Sequence, residues 1–280
     1  MINGIVNIYK EKGYTSHDVV AVLRKVVGQK KIGHTGTLDP DATGVLPVAL
    51  GKGTKLVDLL TDKEKTYEAV LHLGITTDTQ DMSGAVLKER EVSVTEEEVK
   101  EVLRSFVGEQ MQVPPMYSAL KVDGKKLYEL AREGKTVERK ARPVCFYEIE
   151  PLEIHLPLVK IRVTCSKGTY IRTLCHDVGE KLGCGGCMEE LLRTKVGRFS
   201  LEESHTLSEV QAAMEEGTIQ DQIYPVEQVL ADYPAVYADS YGDRLLLNGN
   251  PLRMYASDKT FTGIFQWDKG KKKYYPVKMF

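Results

Sequence analysis

Apolar residues change their spacing several times along this chain, and each change marks an element. Residues 2–9, with Ile5, Val6 and Ile8, form an apolar run of strand length. Over 17–27 the positions Val19, Val20, Leu23, Val26 and Val27 recur at helical spacing. Ser16 stands where an N-cap belongs, and Gly28 where the helix must stop. Residues 54–61 read as a short helix, 66–73 as a strand, 76–84 as a polar loop and 86–92 as another strand. Thr95 and Glu98 form a capping box that opens a helix to Val107, ended by Gly108. Residues 144–154 and 158–165 are strands, the second alternating cleanly through Val159, Ile161, Val163 and Cys165. The stretch from Ser166 to Arg172 turns into a helix reaching about Leu182, and 188–193 reads as a second short helix. Thr206 and Glu209 cap another helix to Glu216, and 217–231 is a connection. From Asp232 on, turn signals (Asn248-Gly249, Pro251) separate short β-like runs, which divides the chain into 1–231 and a small β-rich unit, 232–280.

One stretch fits neither period. Residues 33–47 hold three glycines, two prolines, three threonines, two carboxylates and one histidine. Pro40 fixes its own φ and pushes Asp39 out of the α region, so the run is expected to be a shaped loop with a carboxylate at its middle, anchored by the apolar segment 45–50. A surface turn rich in turn-formers is the plain alternative. Length and residue density favour a functional loop.

Composition narrows the class. With 280 residues, 42% apolar and 28% charged, this is an ordinary globular chain with room for a large domain and a small one. The formal charge of −2 does not advertise nucleic acid, so any such surface must be a local patch. Lys121 to Arg142 carries eight basic against four acidic residues, with Tyr117 and Tyr128 close by. It reads either as an arm that tracks a phosphate backbone or as a solvated helix with ion pairs. Lysines interleave with aromatics between Trp267 and Pro276, as on a stacking surface or a protected strand edge. Arg24, Lys25, Lys30 and Lys31 collect just before the loop. No membrane span is expected, and the N-terminal apolar run is too short for a signal peptide. Five cysteines fit reduced thiols and a cytoplasmic protein. Cys184-Gly-Gly-Cys187, with Cys175 and His176 nearby, lacks the second pair a zinc site needs, and reads instead as the start of a helix.

The loop carries a resemblance. GHTGTLDPDATGVLPVALG, 19 residues from Gly33, is similar to the catalytic motif of the TruB family of tRNA pseudouridine synthases, which convert the uridine at position 55 of the T arm. Gly4 to Ser16, Lys65-Thr66-Tyr67, Thr77-Asp78-Thr79 with Asp81, Met116 to Lys121, and Cys165 to Leu174 resemble further blocks in the same order, covering roughly residues 3–200. The resemblance implies an α+β fold with a mixed, largely antiparallel sheet flanked by helices, and a short PUA-like RNA-binding unit at the C-terminus. It implies a tRNA partner, no cofactor and a monomer. It places Asp39 as the catalytic carboxylate, Tyr67 as the ring that stacks on the target base and Arg172 as the aspartate's partner. His34, Lys10, Asp81, Lys121, Lys167 and Leu191 fall at substrate-binding positions, His34 with base flipping and Leu191 in the apolar pocket.

The chemistry agrees with those types. Isomerising uridine breaks N1–C1′ and makes C5–C1′ with no redox change and no donated group. An ionised carboxylate can attack carbon or remove a sugar proton, and an arginine beside it favours the charged form. One rival is a phosphatase reading of Asp39-Pro40-Asp41-Ala42-Thr43 as D-x-D-x-T, which needs a strand before it and Mg²⁺. Another is an RNA-binding protein without turnover.

Overall fold

The computed structural model describes residues 1–122, 124–233, 235–237, 252–255, 259, 261–268, 270–271 and 273–280. The turn expected at Asn248-Gly249-Asn250-Pro251, and Lys269 and Lys272 of the basic tail, lie outside the described residues.

Strands β1 (Gly4–Lys10), β2 (Ile32–His34), β3 (Thr43–Leu50) and β4 (Lys65–Leu73) come from the first quarter of the chain. Then follow the small hairpin β5 (Ile75–Thr77) and β6 (Val86–Glu89), the strand β7 (Gly108–Gln112), and a second hairpin, β8 (Lys121–Val122) and β9 (Lys125–Lys126). Strands β10 (Arg142–His155), β11 (Leu158–Cys165), β12 (Gly186–Val196), β13 (Phe199–Ser200) and β14 (Ile223–Tyr224) complete the main sheet. Its order is β14-β1-β3-β12-β4-β11-β10-β7, with β2 on β3 and β13 on β12. Every pair along that path is antiparallel except β3–β12, which is parallel and short. The expected mixed, largely antiparallel sheet is therefore present.

The helices are α1 (Ser16–Val26), α2 (Val57–Thr61), α3 (Glu96–Ser105), α4 (Leu127–Arg132), α5 (Ile171–Lys181), α6 (Leu207–Glu216) and α7 (Val226–Val229). Alternation decides what faces them. Along β4, Lys65, Tyr67, Ala69, Leu71 and Leu73 are buried, and along β11, Val159, Ile161, Val163 and Cys165. These join Val99 and Leu103 of α3 and Leu174 and Val178 of α5 in one core. On β1, Val6 and Ile8 meet α1 and α6, whereas Ile5 turns to the other face with Leu56, Leu60 and Phe199. That second face also takes Ile264 and Phe261 from a four-stranded sheet, β15 (Ala235–Tyr237), β16 (Leu252–Tyr255), β17 (Phe261–Asp268) and β18 (Lys273–Met279). The C-terminal β-rich part thus shares a core with the rest. Lys278 bonds the Lys55 carbonyl and the Asp58 carboxylate.

Four local expectations need correction. Residues 188–193 are strand, not helix: Met-Glu-Glu-Leu-Leu-Arg favours helix locally, but β3 and β4 flank it and their backbone groups demand a ladder. The Cys184–Cys187 stretch accordingly opens β12. The cap of α1 is Thr15, which completes a capping box with Asp18, and Ser16 is buried instead. The irregular loop is shorter than expected, because β3 already begins at Thr43 and runs through Pro47. Pro47 is tolerated because both its ring nitrogen and its carbonyl turn away from β1, and the carbonyl accepts from Thr35 N–H at 3.1 Å. Finally, Gly108 does not only stop α3; it starts the edge strand β7.

Candidate active site

Asp39 sits in a tight turn between two buried apolar anchors, Leu38 and Ala42. Ala42 N–H bonds the Asp39 carbonyl at 3.1 Å. Leu38 N–H donates to Ser16 Oγ at 2.9 Å, so the residue expected to cap α1 in fact ties the loop to it. The Pro40 carbonyl accepts from Gly13 N–H at 2.9 Å and from Lys10 Nζ at 3.0 Å. Four contacts over four residues leave the carboxylate little freedom.

Arg172, in the first turn of α5, closes on that carboxylate. Its Nη2 lies 2.7 Å from Asp39 Oδ1 and its Nη1 3.4 Å from Asp81 Oδ2. Asp81 is itself fixed: its Oδ1 accepts from Thr79 Oγ1 at 2.7 Å and from Ser83 N–H at 3.0 Å. The entry to α5 is held by Gln112, whose amide bonds both the Tyr170 carbonyl (3.0 Å) and the Tyr170 N–H (2.9 Å). Tyr170 thereby stands beside Arg172 and within the field of Asp39.

Opposite lies Tyr67, buried on β4, with Leu191 half-buried on β12 and paired in register with Ala69. Both belong to the apolar cluster that holds Leu38 and Ala42. The expected trio Asp39, Tyr67 and Arg172 is therefore gathered beside one apolar cluster. Removal from water pushes the Asp39 carboxyl up from its ordinary value; Arg172 and Lys10 pull it down, and Asp81 pushes it further up. Burial likewise raises the Tyr67 phenol, and the Arg193 guanidinium opposes that. His34 ends β2, half-buried, with its ring edge-on to His17 at 5.2 Å between centroids. Burial first, then His17 and Arg193, lower it to about 4, so it is neutral at pH 7.

The other expected ligands are placed less uniformly. Lys10 is fully buried, and its ammonium is consumed by three backbone carbonyls: Glu11 (3.0 Å), Tyr14 (2.6 Å) and Pro40 (3.0 Å). It shapes the loop and cannot meet a phosphate. Burial lowers it to about 8. Asp81 stands behind Arg172, not in front of it. Lys167 is exposed and paired with Asp62 at 2.7 Å, and Lys121 is exposed on β8. In the basic arm, Lys126 and Arg132 flank the Tyr128 ring at 5.3 and 5.4 Å, while Glu133 takes Lys135 and Lys125.

Arg193 carried no sign in the sequence. It is buried on β12, with Nε 2.7 Å from the Val45 carbonyl and Nη2 3.3 Å from the Gly36 carbonyl. A correct strand assignment for β12 would have turned it inward. Burial pushes the Cys175 and Cys187 thiols up. Among the described residues no group of three or more His, Cys, Asp or Glu is placed to hold a metal. The phosphatase reading loses its frame, since Asp39 does not end a buried strand and Asp41 is exposed without a hydrogen bond among the described residues. No helix among them is long and apolar enough to cross a membrane.

Comparison with known proteins gives the family. Residues 24–171 match the family model "TruB family pseudouridylate synthase (N terminal domain)", and residues 172–231 match "tRNA pseudouridylate synthase B C-terminal domain". The chain is 50% identical to tRNA pseudouridine synthase B of Lachnoclostridium phytofermentans, over 100% of both chains. It is 48% identical to the protein of that name from Clostridium tetani, over 96% of each. Among solved structures, a Cbf5-Nop10-Gar1 complex matches with a TM-score of 0.72 and 31% identity, over 94% of this chain and 78% of that one.

Proposed function

The chain belongs to the TruB family of pseudouridylate synthases and is a tRNA pseudouridine synthase, and we propose that its target is the uridine at position 55 of the T arm, with Asp39 as the carboxylate that carries the chemistry. The observation behind this reading is the 2.7 Å contact between Arg172 and Asp39 beside the apolar cluster that holds Tyr67. The reaction breaks the N1–C1′ bond, turns the uracil and joins C5 to C1′. Whether the carboxylate attacks the sugar or removes its proton, it must be anionic. Burial disfavours the anion; Arg172 supplies the opposing charge.

The target base reaches Asp39 only when extruded from the loop of the T arm, which costs a few kcal/mol. The Tyr67 ring and Leu191 offer one apolar wall for it. Neutral His34 fills the space the base leaves without adding a charge. Lys121 and Lys167 take phosphates, Lys167 exchanging Asp62 for RNA. Lys10, Asp81 and the Pro40 turn hold the loop and the arginine in place. The small C-terminal sheet, with Trp267 and Tyr274 at 5.1 Å and Lys271 over the Tyr275 ring at 4.6 Å, presents a further RNA surface, which we read as PUA-like.

The test is to incubate the protein with an unmodified tRNA transcript in EDTA and map pseudouridine along it. Pseudouridine at position 55 is expected. Isomerisation at another position, with 55 untouched, overturns the target; none at all in a folded sample overturns the reading.

A further inference from the structure

Arg193 is among the largest fully buried side chains, and among the described residues no carboxylate pairs with it. A buried, unanswered guanidinium is costly, so its placement calls for a reason. Its donors go to the Gly36 carbonyl and the Val45 carbonyl, which lie on either side of Asp39 in the chain. Across the sheet it stands in register with Tyr67, whose phenol lies in the field of the guanidinium. The backbone joins in. A Cβ on Gly44 would come within 2.2 Å of the Arg193 carbonyl oxygen, so only glycine lets β3 approach β12 there. One residue therefore seats both ends of the Asp39 loop and stands opposite Tyr67.

A guanidinium has five donors and no acceptor. Toward Arg193 the Tyr67 oxygen can only accept, which leaves its own proton to point elsewhere. We propose that Arg193 is a positioning residue of the isomerisation: it sets the Asp39 loop against the Tyr67 ring and turns the Tyr67 hydroxyl proton toward the base held between them. This rests on the function proposed above. Arg193 is buried and touches no reacting atom; it acts through Tyr67 and the loop carbonyls.

The experiment is a two-by-two cycle of Arg193→Lys and Tyr67→Phe, read by single-turnover rate on a T-arm hairpin, hairpin affinity and thermal melting. Lysine keeps the charge and a donor for the loop carbonyls but lacks the planar fork that reaches Tyr67 as well. Arg193→Lys is expected to slow turnover about 10- to 100-fold with affinity within about threefold, as for loss of one charged hydrogen bond. In the Tyr67→Phe background the same change should slow it no more than about threefold, because the oxygen it served is gone. An equal factor in both backgrounds overturns the proposal. Should Arg193→Lys fail to fold, Tyr67→Phe alone decides. It strands a buried donor and must melt below the wild type; melting at or above it overturns the proposal. If the wild type makes no pseudouridine, the proposed function fails, and the melting comparison still judges the Arg193–Tyr67 contact.

Discussion

Arg172 holds Asp39 at 2.7 Å from a position where its own side chain is only 7% exposed, while the aspartate keeps 36%. The pair is one-sided. From solvent the carboxylate is met before the cation, so the arginine can govern the aspartate's charge without competing for phosphate.

The two carboxylates of the loop should therefore part company. Asp39→Asn is expected to abolish detectable pseudouridine while tRNA binding is largely kept, since binding rests on phosphate and stacking contacts elsewhere. Asp41→Asn, at an exposed position without a hydrogen bond or ion pair among the described residues, should turn over at close to the wild-type rate. Turnover and affinity measured in parallel check this; a folded but inactive Asp41→Asn would sink the assignment of one catalytic carboxylate.

Arg172→Lys should fall between those two. Lysine keeps a charge near Asp39 but cannot reach Asp39 and Asp81 together, as the two guanidinium nitrogens do at 2.7 and 3.4 Å. We expect a loss of about 10- to 100-fold in single-turnover rate with affinity retained. A rate equal to wild type would mean that charge alone suffices.

The acid limb of the pH–rate profile follows from the balance at Asp39. Burial raises the carboxyl above 3.8, Asp81 adds to the rise and Lys10 opposes it. Activity should be lost on acidification through a pKa above 3.8. Asp81→Asn should move that limb to lower pH and Lys10→Met to higher pH. Shifts in the opposite senses would show that another group controls the limb.

Lys10 makes a separate claim on stability. Its folded value is about 8, against 10.5 when unfolded, so the unfolded chain holds the extra proton between those values. The cost of burying the charge, on the order of 3 kcal/mol, is fully present below pH 8 and fades as pH rises toward 10.5. The stability of the wild type relative to Lys10→Met should therefore grow between pH 7.5 and about 9.5 by denaturant titration. A flat difference would mean the ammonium is better solvated than its burial implies.

Removing residues 232–280 uncovers Leu56, Leu60, Val229 and Leu230, which now pack with Ile264 and Phe261. The shortened protein should melt lower than the full chain. Below that temperature it should still act on a T-arm hairpin, because Asp39, Tyr67 and Arg172 all lie upstream. A shortened protein that is folded by circular dichroism and inert on the hairpin would show the tail to be part of the catalytic unit.

Features written in local chemistry were legible in the sequence. The capping boxes at Thr95/Glu98 and Thr206/Glu209 both form, and β11 buries the four residues its alternation names. Asp39, Tyr67 and Arg172 were legible only through the resemblance, and they do converge. What depended on distant partners was hidden. β12 looked helical because its residues are good helix formers, and its two bulges, at Met188/Glu190 and Arg193/Lys195, break the period that would have betrayed a strand. The resemblance put Lys10 at a substrate-binding position, and nothing local shows that the Tyr14 and Pro40 carbonyls fold over it. Arg193 was hidden for both reasons together.

The short parallel contact between β3 and β12 has a kinetic consequence. Only Leu192 with Thr43, and Arg193 with Gly44, join the two halves of the main sheet there, across about 150 residues of chain. Hairpins such as β10–β11 can gather quickly, whereas this joint, like β1–β14 and β4–β12, must wait for a long-range encounter. Asp39 belongs to one side of the joint, and Tyr67 and Arg172 to the other. Regained turnover during refolding is therefore a clock for these long-range closures, running behind the return of helical signal, and a half-assembled chain is silent as an enzyme however much secondary structure it displays.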